Sequence, residues 1–183
     1  MNRHHQVGAS LIEVLVALLL LSLGMLSLAA TLSFAVQMPK LSGYRATATN
    51  LASAYIERMR ANSGADGFGG FNSGAYDKPS SYGVTTLSAT TCSYPDCVAA
   101  TLATMDLTTM QVAVRAELPA GGLFMERDNN SGVSSSTTGN LWIMWQEPVT
   151  YGTIVDSSSS DNCPSGVAVT DPMPRCLYVR FSI

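Results

Sequence analysis

Apolar and small residues run almost unbroken from Leu11 to Val36, and no position between Val14 and Val36 carries a charge. As a helix, 14–36 spans roughly 34 Å, enough to cross a bilayer. Pro39 then predicts an interruption or a kink, because it removes a backbone donor and crowds the preceding turn. Beyond it Leu41, Tyr44, Ala48, Leu51 and Tyr55 recur at intervals of three and four, and Met59 extends the stripe. Arg45, Glu57, Arg58 and Arg60 fall mostly off that stripe, which predicts an amphipathic half-helix ending near Asn62-Ser63-Gly64. A continuous helix over 9–62 would be roughly 80 Å long.

After the helix the pattern changes. Gly64 to Gly83, with Gly67-Phe68-Gly69-Gly70-Phe71, reads as a long loop, and its glycines lack the GxGxxG spacing of a phosphate cradle. Leu102, Met105, Met110, Ala113 and Val114 predict a second, shorter helix over Thr101 to Leu118, stopping before Pro119-Ala120-Gly121-Gly122. Leu123 to Arg127, Leu141 to Gln146, Val149 to Val155 and Leu177 to Ile183 predict short strands. In the last, Leu177, Val179, Phe181 and Ile183 share one face, with Tyr178, Arg180 and Ser182 on the other. Trp142 and Trp145 fall on opposite faces of their strand; packing in the core or under a loop is favoured for both over display to a partner. Ser134 to Thr138 and Ser157 to Ser160 read as flexible connectors. The economical fold is α+β, a long N-terminal helix packed on a small antiparallel sheet with a second short helix. Its divisions are 1–8, the helix over 9–62 with a membrane segment at about 14–36, and a head over 63–183.

Composition narrows the function. The chain has 183 residues, a formal net charge of -3, and 13% charged residues, against roughly 25% in an ordinary soluble domain. The charge deficit belongs to the N-terminal segment, and the remaining 120 or so residues suffice for a core of their own. With no cluster of Lys and Arg, nucleic acid is not expected as a partner. The two histidines are His4 and His5, so removal of the N-terminus would leave no imidazole for Ser-His or Cys-His catalysis or for a histidine zinc site. Neither GxSxG nor SxxK occurs, and the carboxylates are scattered. The chain is therefore expected not to be an enzyme and to need no cofactor or metal. Asp128-Asn129-Asn130-Ser131-Gly132 is a poor match to a calcium loop, its glycine one place early and Gly139 standing where a bidentate glutamate is needed. A surface turn is the better reading.

The block Gly8-Ala9-Ser10-Leu11-Ile12-Glu13-Val14-Leu15-Val16-Ala17-Leu18-Leu19 resembles the class III signal of type IV prepilins, and within that family the PilV-like minor pilins. The likeness covers residues 1–62 strongly and extends weakly through Leu118-Pro119-Ala120-Gly121-Gly122 and the strand end from Trp142 to Pro148. It implies a prepilin peptidase that cuts between Gly8 and Ala9, so that Glu13 becomes the fifth mature residue. The family's usual first mature residue is phenylalanine, and here it is Ala9; methylation of the new terminus is the family habit. It also implies a minor pilin that helps initiate pilus assembly in a priming or tip subcomplex. Its partners would be other minor pilins, the major pilin and the peptidase, and it would reside in the inner membrane, head in the periplasm, before joining the pilus. The alternative is a minor pseudopilin of a type II secretion system, which shares the same N-terminal physics; an anchored enzyme or adhesin would not need Glu13.

Elementary chemistry gives these positions a rationale. Gly8 lets the scissile backbone lie extended and close to a protease. Cleavage would place an α-ammonium at a helix N-terminus, where the dipole already favours negative charge. Glu13 of one subunit would neutralise that ammonium on a neighbour, with an axial offset of about 6 Å. In a bundle of packed helices such a pair fixes register, and breaking it costs about 3–5 kcal/mol. A secretory signal peptide cut near Ser27-Leu28-Ala29 is disfavoured by Glu13 at the mouth of the apolar run.

Cys92, Cys97, Cys163 and Cys176 in a head outside the cytoplasm point to disulfides rather than a four-cysteine zinc site, since CxxC knuckles are absent. Three pairings are possible. Cys92 with Cys97 and Cys163 with Cys176 are favoured because each closes a short local loop.

Mass spectrometry of the mature protein extracted from membranes is expected to place its N-terminus at Ala9. A terminus near Ala30 would instead identify ordinary signal-peptide cleavage.

Overall fold

The structure is a computed structural model that describes residues 10–62, 69–77, 79–93, 95–128, 137–147, 162–165, 167 and 173–183. Three helices, α1 (Leu11–Ala61), α2 (Gly69–Asn72) and α3 (Ala99–Glu117), precede three strands, β1 (Gly122–Arg127), β2 (Thr138–Trp145) and β3 (Arg175–Ser182). The strands form one antiparallel sheet in the order β1-β2-β3. A long N-terminal helix, a small antiparallel sheet and short helices make the chain α+β.

The chain divides into two compact units, Met1–Ser42 and Gly43–Ile183. In the first, every large apolar side chain from Leu11 to Met38 is substantially exposed, from Val14 at 48% to Leu11 at 86%. α1 is long and apolar enough to cross a membrane. Pro39 lies inside α1, so of the two expected outcomes, an interruption or a kink, the interruption does not occur: one missing donor is carried by a helix that continues on both sides of it.

In the second unit the amphipathic stripe is where α1 joins the core. Ala48, Leu51, Tyr55 and Met59 are buried, together with Ala52 and Ile56 beside them, which gives the face the width a globular core requires. They cluster with Ala103, Leu107, Met110 and Val114 of α3 and with Leu123, Met125, Leu141, Ile143, Trp145 and Phe181 of the sheet. Each buried leucine, isoleucine, valine, methionine or phenylalanine among them contributes about 1.5–3 kcal/mol by leaving water. Odd-numbered positions of β2 face this core. Its even positions line the other face, where Trp142 stacks on Phe124 with ring centroids 5.2 Å apart and Tyr178 lies 5.2 Å from Trp142 on its other side. The three aromatics are register partners across the sheet. Trp145 is thus in the core and Trp142 is half-buried between two rings.

Several expectations need correction. The stretch 64–83 is not all loop, because α2 forms within it and buries Gly70 and Phe71. Gly70 is pressed so close to the Asn62 side chain that a Cβ would overlap it. β2 starts at Thr138, inside the tract read as a connector. The buried line of α3 is Ala103, Asp106, Leu107, Met110 and Val114, with Leu102 and Met105 only half-buried. The expected strand over 149–155, the connector 157–160 and the 129–132 turn lie outside the described residues.

The turn from α3 into β1 is set by backbone crowding. A Cβ on Gly121 would overlap the Val114 carbonyl, and Ala120 adopts the left-handed region with φ 50°. Arg115 closes the turn, its Nε donating to the Gly121 carbonyl at 2.6 Å and its two Nη atoms to the carbonyls of Val84 and Ser81 at 2.9 and 3.0 Å. Gly121→Ala is expected to destabilise the head by about 1–3 kcal/mol, read as a lower urea midpoint. Gly43→Ala meets nothing within 4 Å and sits in a helix, so it should stabilise by about 0.5–1 kcal/mol.

Candidate functional site

The residues expected to carry function fall in two places. Gly8 and Ala9 lie outside the described residues. Glu13 stands in the first turn of α1, where the amides of Glu13 and Val14 donate to the Ser10 carbonyl at 3.0 and 3.3 Å. A carboxylate there complements the helix dipole. The side chain is exposed, and among the described residues it has no hydrogen-bond or ion-pair partner. Around and beyond it lies the apolar surface of Leu11 to Met38, far more than the few hundred Å² a soluble monomer leaves in contiguous patches. Three hydroxyls in this stretch are internally satisfied: Ser22, Ser27 and Thr31 donate to the carbonyls of Leu19, Gly24 and Leu28 at 2.8–2.9 Å. Back-bonding of this kind lets a hydroxyl sit in an apolar medium without an outside partner.

The opposite end of α1 is fastened by a buried polar node. Asn62 follows the last helical residue, and its Nδ2 donates to the Ala99 carbonyl at 2.8 Å and to Tyr76 Oη at 3.2 Å. Tyr76 Oη donates in turn to Asp106 Oδ2 at 3.1 Å, and Arg58 Nη1 lies 3.7 Å from Asp106 Oδ1. The Gly70 amide donates to the Asn62 carbonyl at 3.1 Å. Helix α1, the α2 turn and the N-terminal part of α3 therefore share one network. Burial pushes the Asp106 carboxyl above its ordinary value, and the Tyr76 hydrogen bond and Arg58 only partly oppose this. Burial likewise raises the Tyr76 phenol, and that of Tyr55, whose Oη is buried with no hydrogen-bond partner among the described residues.

A second polar cluster closes the sheet. Asp128 accepts from Thr138 Oγ1 at 2.9 Å, Asn140 Nδ2 at 2.6 Å and Arg180 Nη2 at 2.8 Å, so its carboxylate ties the end of β1 to β2 and β3. Hydrogen bonds from Thr138 and Asn140 hold that carboxyl below its usual range. An Arg guanidinium on Asp128 is a poor beginning for a calcium site. Among the described residues no group of three or more His, Cys, Asp or Glu side chains is placed to hold a metal ion.

The four cysteines form two disulfides, Cys92–Cys97 and Cys163–Cys176. The second joins the 162–165 segment to β3, and the Asn162 carbonyl accepts from Trp142 Nε1 at 2.7 Å. The sequence marks Asn62 only as a helix end and Asp128 only as the start of a surface turn, and it singles out none of Tyr76, Asp106 and Arg115. Of these three only Asp106 carries a signal, as a lone carboxylate on the apolar stripe of α3.

Asp106 should give the head a distinct pH dependence. Because its folded carboxyl titrates above the unfolded value of about 3.9, the folded state binds the proton more readily. Its contribution to stability is therefore present below that value and is lost as pH rises through the folded pKa. Asp106→Asn can still accept from Tyr76, so its stability relative to wild type should increase with pH across that window and then level off. Urea midpoints measured against pH check this; a difference that is constant or falls with pH would contradict it. The Asp128 contribution has the opposite sign and is lost only at lower pH, so it cancels in the comparison. Compared with known proteins, the chain matches no family model, no curated protein and no solved structure.

Proposed function

We propose that the chain is a minor pilin of a type IV pilus, anchored in the inner membrane by α1 after cleavage between Gly8 and Ala9, and that it helps to prime pilus assembly. The observation that carries this reading is the division of α1: an exposed apolar half with a single unpartnered carboxylate at its start, continued by a half locked into a disulfide-bonded head. A simple membrane tether has no use for Glu13, since a charge at the mouth of an apolar span weakens insertion. A helix that must pack among identical or similar helices does, because the carboxylate can meet the new α-ammonium of a neighbour. The expected partners are accordingly other minor pilins and the major pilin. The chemistry asked of the chain is packing and charge pairing, with no catalysis.

Glu13→Lys is the decisive variant. It lies after the scissile bond and outside the head, so it should be processed and should keep both disulfides. It should nevertheless fail to support normal pilus number, because it sets a positive charge against the neighbour's ammonium; Glu13→Gln should be milder. Wild-type piliation and normal co-purification with other minor pilins by Glu13→Lys would overturn the charge-pair mechanism. Loss of secretion with intact piliation would favour a type II secretion pseudopilin.

A further inference from the structure

The face of the sheet that carries the aromatic ladder also carries a groove of about 580 Å³, lined by Ser80, Phe124, Glu126, Trp142, Pro164 and Val167, with Ser165 at its rim. Its chemistry is uneven. Trp142 has a ring on either side, Phe124 and Tyr178, so its two faces are covered. Phe124 belongs to β1, an edge strand of the sheet, and is half-buried, stacked on Trp142 and lining the groove. Glu126 is two residues along the same strand and so projects on the same side as Phe124. Asp77 is engaged with Arg127, Asp106 with Tyr76, Asp128 with Arg180 and Glu147 with Arg175, while Asp96 and Glu117 do not line the groove. Glu126 is exposed, and among the described residues its carboxylate has no hydrogen-bond or ion-pair partner.

A carboxylate without a partner beside an aromatic ring that lines a groove is complementary to a planar cation. A guanidinium stacks on a ring and directs its N–H fork at a carboxylate, which an ammonium does less well. The volume is too large for a bare ion and accommodates an extended arginine side chain with the backbone that presents it. We propose that this groove docks an arginine side chain of a protein partner, stacked on Phe124 and paired with Glu126. Ser165, exposed and with its hydroxyl uncommitted among the described residues, is an acceptor for the outward N–H groups. The site lies in the Gly43–Ile183 unit and does not depend on the pilin reading, which rests on α1.

The test uses the full chain in lipid nanodiscs, labelled with 5-fluorotryptophan. Trp142 and Trp145 give the two fluorine signals, with Trp142→Phe to assign them and buried Trp145 as internal reference. An acetylated Gly-Arg-Gly amide should shift the Trp142 signal saturably and leave the Trp145 signal in place, and the same peptide with neutral citrulline for arginine should not. Glu126→Gln, an exposed substitution that leaves the fold alone, should weaken binding about fivefold; Phe124→Leu should weaken it about threefold. A citrulline peptide that titrates like the arginine peptide, an unchanged affinity in Glu126→Gln, or no Trp142 shift at all would overturn the proposal.

Discussion

α1 carries two surfaces with opposite solvent requirements on one hydrogen-bonded backbone. From Leu11 to Met38 the apolar side chains point out all round the helix and are exposed, a pattern that water penalises at about 25 cal/mol per Å². From Tyr44 to Asn62 the same helix is one-sided, burying Ala48, Leu51, Tyr55 and Met59 and presenting Arg45, Glu57 and Arg60 outward. Apart from the donor missing at Pro39, the helix satisfies its own backbone, which is what allows the apolar half to enter hydrocarbon or a bundle of helices. The proposed function follows from this division, since only the first half is left needing a partner.

The second half has to be held firmly for that arrangement to be useful. Apolar burial supplies most of the attachment, and the Asn62–Tyr76–Asp106 network fixes where α1 stops. Gly70 is tight against Asn62, so α2 packs directly against the end of α1. The network carries a buried carboxylate whose ionisation is disfavoured by burial, a cost offset in part by the Tyr76 hydrogen bond and by Arg58. Such nodes contribute geometry more than net stability. On the far side of the sheet the Asp128 cluster does the same for the strand ends, in a setting exposed enough that hydrogen bonding dominates desolvation.

Much of this fold was legible in the sequence, and the parts that were not share a cause. The amphipathic stripe from Tyr44 to Met59 and the alternation of Leu177, Val179, Phe181 and Ile183 are periodic, and period reports burial directly. α2 has one turn, too short for any period, and half its residues are glycine. The α3 stripe was read one step off, through Leu102 and Met105, because its true line includes Asp106, which no hydrophobic pattern counts. Tyr76 and Arg115 act through contacts distant in sequence, and nothing local marks them; Asn62 is marked locally only as a helix end. Of the candidate site, Glu13 stood out as a charge beside an apolar run, whereas the Phe124–Trp142–Tyr178 ladder appears only once register is known.

The division of α1 is the claim on which the rest turns, and spin labels placed singly along residues 14–59 of the monomeric chain in nanodiscs test it most directly. Accessibility to oxygen should be high and without helical period through 14–36. From 44 to 59 the pattern should change to water accessibility with a period near 3.6 residues, minimal at Ala48, Leu51, Tyr55 and Met59. Water accessibility throughout 14–36, or a protected face recurring at helical period there in the monomer, would contradict the account.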